Sequence, residues 1–136
     1  MAGNIRLEIV TPQKEVVNEE AQIVVAPGVL GEFGVLIGHT PFMTSLNIGT
    51  LRYTDTKGSE RFVFINGGFS EALPNKVTVL AESAERRRDI DIERARSAMA
   101  RAEKRLESKD TDIDYTRARV ALQRALYRIK LAETLR

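Results

Sequence analysis

All nine glycines and all four prolines of this 136-residue chain lie before residue 76, and none follows. Glycine opens backbone conformations that turns require, and proline removes a backbone donor; both weaken a helix interior. The first part of the chain therefore reads as punctuated β-structure and the rest as helix. The charge changes at nearly the same place. Residues 1–84 hold 6 Lys/Arg against 9 Asp/Glu, a net −3, and residues 85–136 hold 15 against 10, a net +5. Two domains with different partners are expected, 1–84 and 85–136.

Strand signals fill the first part. Ile5, Leu7 and Ile9 alternate with Asn4, Arg6 and Glu8, a period of two. Thr11-Pro12-Gln13 marks a turn. A short apolar run at 22–26 closes on Pro27-Gly28, and Leu51-Arg52-Tyr53 alternates again before Thr56-Lys57-Gly58-Ser59. Residues 61–66 are apolar on both faces, as in a central strand, and Gly67-Gly68 is read as its end. Val77 and Val79 lie in a further strand after Pro74-Asn75. Many short strands at this spacing favour a sandwich or a flattened barrel.

The helical part splits at Ser108-Lys109-Asp110. Before it, Ile92, Ala95, Met99, Ala102 and Leu106 recur at steps of three and four; after it, Ala118, Leu122, Ala125, Ile129 and Ala132 do the same. Thr111 with Asp114 reads as a capping box opening the second helix. So short a connection makes the helices an antiparallel hairpin, and alanines on the facing stripes allow close approach. The stripes are thin, so the hairpin depends on docking for stability. The fold class is α+β: a β-sandwich followed by a two-helix hairpin.

Several function classes are excluded by what is absent. His39 is the only histidine and there is no cysteine, so neither a Ser-His-Asp triad nor a His/Cys metal cluster can be built, and no metal is expected. No Gly-x4-Gly-Lys-Ser/Thr string exists. Gly28, Gly31 and Gly34 have a phosphate-loop spacing, but no helix pattern follows them, so they read as hairpin glycines. No apolar run approaches the length of a membrane span, and the N-terminus leads straight into a strand pattern without a signal peptide. An enzyme has no residues to carry it.

Two strings stand out. Gly31-Glu32-Phe33-Gly34-Val35-Leu36-Ile37-Gly38-His39-Thr40-Pro41 reads as a tight glycine-punctuated turn that exposes one carboxylate, Glu32. In the helical part, Arg94, Arg101 and Arg105 are spaced i, i+7, i+11 on one helix face, and Arg117, Arg124 and Arg128 repeat that spacing. Two guanidinium rows on adjoining helices suit a polyphosphate, whose oxygens match forked donors. They equally suit an acidic partner helix or solvent.

The first string, together with Gly67-Gly68-Phe69-Ser70-Glu71, Val77-Thr78-Val79-Leu80-Ala81 and the C-terminal hairpin, resembles the epsilon subunits of F-type ATP synthases, in order and over nearly the whole chain. The resemblance implies a sandwich of about ten strands that clamps the gamma subunit and sits on the c-ring, with Glu32 and His39 toward the ring. It implies a non-catalytic rotor subunit of the central stalk, peripheral on the cytoplasmic face of a bacterial plasma membrane and taking part in proton-driven ATP synthesis. The hairpin would lie compact on the sandwich or extend along gamma toward the alpha and beta subunits, restraining ATP hydrolysis.

Ile90-Asp91-Ile92-Glu93-Arg94-Ala95 is similar to the Ile/Leu-Asp-x-x-Arg-Ala pattern with which such subunits bind ATP without hydrolysing it. By that resemblance Ile90, Asp91, Arg94 and Ala95 frame the base and ribose, Arg101, Arg124 and Arg128 meet the phosphates, and Glu85 is a further contact. Arg105 has no assigned counterpart. Arg86-Arg87-Arg88, just before the motif, is unusually basic. A small nucleic-acid-binding protein is the alternative, given the sequence pI of about 9.1. Against it, the β-part lacks a basic face with interleaved aromatics, and the helix stripes carry acids such as Glu93 and Glu103.

Overall fold

The structure, a computed structural model, describes residues 3–134. The chain divides into two compact units between Arg86 and Arg87, two residues beyond the composition break.

The first unit contains seven strands: β1 (Ile5–Val10), β2 (Glu15–Gly28), β3 (Gly31–Val35), β4 (Phe42–Asp55), β5 (Glu60–Leu73), β6 (Lys76–Ala81) and β7 (Ala84–Arg86). Their order is β1-β6-β5-β4-β2, and β1 pairs back onto β2, which closes the sheet into a barrel-like sandwich. β3 adds to β2 and β7 to β5. Every pairing is antiparallel except β1 with β6. Closure leaves few free edges to template aggregation.

The alternation read in β1 is the inward face. Ile5, Leu7 and Ile9 are fully buried, as are Val24, Leu51, Val63, Ile65, Val77 and Val79 around them. Each such side chain contributes about 1.5–3 kcal/mol by leaving water.

Seven continuous strands stand where about ten were expected because three of them run 14 residues, and two of these, β2 and β5, change neighbours along their length. β5 pairs with β4 along its length, with β7 at 63–65 and with β6 at 68–73. Gly67 and Gly68 lie at that junction with φ of 69° and 117°. The glycine pair carries the strand through the change of neighbour instead of ending it. Counting each long strand as two restores the expected number.

The second unit holds a short 3-10 turn (Arg87–Asp89), α1 (Ile92–Glu107) and α2 (Tyr115–Glu133). The buried residues of the two helices are Ala95 and Ala102 on α1 and Ala118, Ala125 and Leu131 on α2. Asp114 itself caps α2, accepting the Arg117 amide at 3.0 Å. The Thr111 capping box does not form: the helix starts at Tyr115, so Asp114 occupies the cap position rather than the third helical one. Tyr115 fastens the connecting loop by donating its phenol to the carbonyls of Ser108 and Asp110.

Candidate functional site

The hairpin seam decides where the arginines go. On each helix two alanines seven residues apart are buried, Ala95 with Ala102 and Ala118 with Ala125. Arg94, Arg101, Arg117 and Arg124 each sit one residue before one of these alanines; Arg105 and Arg128 sit three residues after one. At about 100° per residue both offsets turn to the same side of the seam. In an antiparallel pair, equal offsets on the two helices fall on one common face. The six arginines therefore share a face of the hairpin. The opposite side shows the same rule from the other direction. Arg96, one residue after Ala95, bonds Glu133 on α2 at 2.8 Å.

Arg94, Arg101, Arg105, Arg117 and Arg124 form no side-chain ion pair among the described residues, whereas Arg96 is bound by Glu93 and Glu133. The hydrogen bond that Arg96 donates to Glu133 raises the Arg96 affinity for its proton further. Five like charges without acidic partners on one face favour an anion. Arg94, Arg101, Arg105 and Arg117 are exposed, while Arg124 and Arg128 are half-buried beside the seam.

The Ile90–Ala95 motif stands at the open end of the same hairpin, where the 3-10 turn packs against α2. Ile90 is half-buried and its amide bonds the Arg87 carbonyl at 3.3 Å. Asp91 is the N-cap of α1, accepting the Arg94 amide at 3.0 Å. Ala95 is buried in the seam between the helices. Glu85 belongs to β7 in the first unit, half-buried and opposite Phe64 on β5.

The first unit places Glu32 differently from the expected turn. The tip of the β2–β3 hairpin is Val29-Leu30, with Leu30 93% exposed. Glu32 lies inside β3, its carboxylate held by both terminal nitrogens of Arg52 at 3.0 Å. His39 is in the loop after β3, its Nδ1 2.6 Å from the Thr40 carbonyl and its ring edge-on to Phe42. No contact joins Glu32 to His39 among the described residues. Gly28 and Gly31 pair with each other to close the hairpin, as the glycine reading expected.

A surface the sequence reading passed over lies on β4, β5 and β6. Met43, Phe69 and Leu80 are more than half exposed and line a groove of about 380 Å³ with Glu71 and Thr78. Phe69 pairs with Leu80 across the strands. The outward phase of Phe69, next to inward Ser70, was the available signal. Among the described residues no cluster of acids or histidines could hold a metal, and no helix is long and apolar enough to cross a membrane.

Residues 4–87 match the family described as ATP synthase, Delta/Epsilon chain, beta-sandwich domain. Residues 88–133 match ATP synthase, Delta/Epsilon chain, long alpha-helix domain. The sandwich and hairpin thus define a non-catalytic subunit of a rotary ATP synthase. The chain belongs to the ATP synthase delta/epsilon chain family, among its F-type epsilon subunits. An ATP synthase epsilon chain of Desulforapulum autotrophicum is 63% identical over 134 residues, 98% of this chain and 99% of the relative. Another, of Desulfatibacillum aliphaticivorans, is 66% identical over 110 residues, 81% of this chain and 78% of the relative. A chain of the Euglena gracilis mitochondrial ATP synthase, from the OSCP/F1/c-ring cryo-EM structure in rotational state 1, shares the fold. The TM-score is 0.78 at 23% identity, over 90% of this chain and 78% of that one. The nucleic-acid alternative falls with this membership, which takes in the basic hairpin as well as the sandwich.

Proposed function

We propose that this chain is a rotor subunit of the central stalk that couples gamma to the c-ring and senses ATP through its hairpin. The sandwich is the rotor-contact domain and the hairpin the regulatory one. The observation that carries the sensor is the common arginine face, five of whose guanidiniums have no acidic partner among the described residues, beside the half-buried Ile90 and the Asp91 cap. ATP binds there as a regulatory ligand and is not hydrolysed. Ile90, Asp91, Arg94 and Ala95 frame the nucleoside and Arg101, Arg124 and Arg128 meet the phosphates, with Glu85 a further contact by the family resemblance alone.

The arginine rows share a face only while the helices lie side by side, so ATP favours the compact hairpin through differential affinity. Low ATP releases the hairpin toward the alpha and beta subunits, where it restrains hydrolysis. On the sandwich, the Met43–Phe69–Leu80 groove takes an apolar segment of gamma, and the Glu32 and His39 end meets the c-ring. The chain is peripheral, at the cytoplasmic face of the membrane that holds the ring.

Calorimetric titration tests the sensor. Arg94→Ala and Arg124→Ala are expected to weaken ATP binding at least about tenfold, since charge-assisted hydrogen bonds contribute about 1.5–3 kcal/mol each. No heat with the parent at millimolar ATP, or equal binding by all three proteins, removes the nucleotide site. Co-purification tests the stalk: Leu80→Asp is expected to lose gamma while keeping its fold.

A further inference from the structure

The run Arg86-Arg87-Arg88 lies outside the arginine face, and its first member differs in kind from the other two. Arg87 and Arg88 form the 3-10 turn that opens the second unit. Arg86 is the last residue of β7, and its guanidinium reaches back into the barrel. Its Nε donates to the Val16 carbonyl at 3.2 Å and its Nη1 to the Tyr53 hydroxyl at 2.9 Å. Tyr53 in turn donates to Glu19 Oε1 at 2.5 Å, and Arg86 Nη2 lies 3.8 Å from Glu19. Tyr53 is 1% exposed, and the Arg86 side chain is 19% exposed.

Without these bonds β7 is weakly held. It is three residues long and pairs with β5 alone, opposite Val63, Phe64 and Ile65. Such a short terminal strand frays readily. The network adds ties to two further strands, β2 through Val16 and Glu19 and β4 through Tyr53. Burial of Tyr53 and Arg86 strengthens the hydrogen bond between them relative to a surface one, while the Glu19 carboxylate stays 38% exposed. Glu19 alone would leave a charge beside a buried phenol, and Arg86 balances it.

We infer that Arg86, gripped by Tyr53, Glu19 and Val16, is the anchor that holds β7 to the barrel and fixes where the first unit ends. Arg86 is a positioning residue; it holds the chain exit and touches no ligand in this role. The inference does not depend on the nucleotide site, because every group in it lies in the first unit.

Amide hydrogen exchange on the full-length chain, read by mass spectrometry, tests it with Tyr53→Phe and Arg86→Lys. Tyr53→Phe keeps the ring and deletes the hydroxyl; Arg86→Lys keeps the charge and deletes the fork. Exchange in residues 84–90 is expected to accelerate at least about fivefold in both, with β1 and β6 unchanged, because the network ties only the terminal strand. Brief trypsin treatment supplies a second readout. The parent is expected to be cut after Arg88 well before Arg86, and both variants to be cut after residue 86 at a comparable rate. Unchanged exchange at 84–90, acceleration spread equally over β1 and β6, or equal cutting after Arg86 and Arg88 in the parent would each overturn the anchor. Failure of Tyr53→Phe to fold leaves Arg86→Lys to decide by the same readouts.

Discussion

Arg96 and Glu133 bridge the open end of the hairpin, joining the first turns of α1 to the last turn of α2 at 2.8 Å. Both side chains are about half exposed, so the pair is a weak one that salt screens. A double-mutant cycle of Arg96→Ala and Glu133→Ala, read by amide exchange in α1, is expected to give only a small coupling. The coupling should shrink as salt is raised from 50 mM to 500 mM, which are about 14 Å and 4 Å of screening length. A coupling of several kcal/mol would show the clasp to be part of a larger network.

Asp91 caps α1 and also falls in the proposed nucleotide motif, and two substitutions separate the roles. Serine replaces the cap, whereas alanine removes it at about 1 kcal/mol. Asp91→Ser is expected to preserve exchange protection in the first turn of α1 and still to lose ATP affinity. Retained affinity in Asp91→Ser, with loss only in Asp91→Ala, would assign Asp91 to capping alone.

Tyr53 gives the barrel an alkaline limit. Burial, and then the hydrogen bond to Glu19, push its phenol up to about 12 from the usual 10.0, with Arg86 pulling the other way. Between those values the unfolded chain has released the proton and the folded chain has not, so unfolding is favoured. The stabilisation is whole below pH 10 and is lost as pH rises toward 12. Chemical denaturation of the parent against Tyr53→Phe should show this extra decline in the parent only. Parallel curves would place Tyr53 in an environment no different from water.

Two glycines with positive φ should respond unequally to alanine. A Cβ at Gly68 would lie 2.1 Å from the Leu80 carbonyl oxygen, whereas at Gly31 nothing lies within 4 Å. Gly31→Ala meets backbone strain alone, about 1–3 kcal/mol. Gly68→Ala adds a clash with the neighbouring strand and is expected to lose more, with β5–β6 exchange protection collapsing first. Equal losses in denaturant titrations would mean that the strands part freely at that point.

The sequence made the sandwich, the hairpin and the arginine rows legible because each rests on local spacing. Ile5, Leu7 and Ile9 announce a strand through a period of two, and Arg94 and Arg101 announce a face through a step of seven. The Arg86 anchor was hidden because its partners Val16, Glu19 and Tyr53 are 33 to 70 residues away, and no local pattern encodes a meeting at that range. Glu32 looked like a free turn carboxylate because Arg52, its partner, is 20 residues on. The glycine pair at 67–68 looked like a break because spacing cannot distinguish a strand that ends from one that changes neighbour.

The parallel pairing of β1 with β6 sets Arg6 opposite Lys76. During synthesis β1 has only β2 to pair with until those seventy residues have emerged, which takes roughly 4–14 s at 5–20 residues per second. Through that interval Ile5, Leu7 and Ile9 form an apolar face with an open edge, the kind of surface that chaperones hold and aggregates recruit. The helices that follow close on local contacts within microseconds to milliseconds. Variants that loosen β1 or β6 are therefore expected to reduce the yield of this subunit in a cell more than equally destabilising changes in the hairpin.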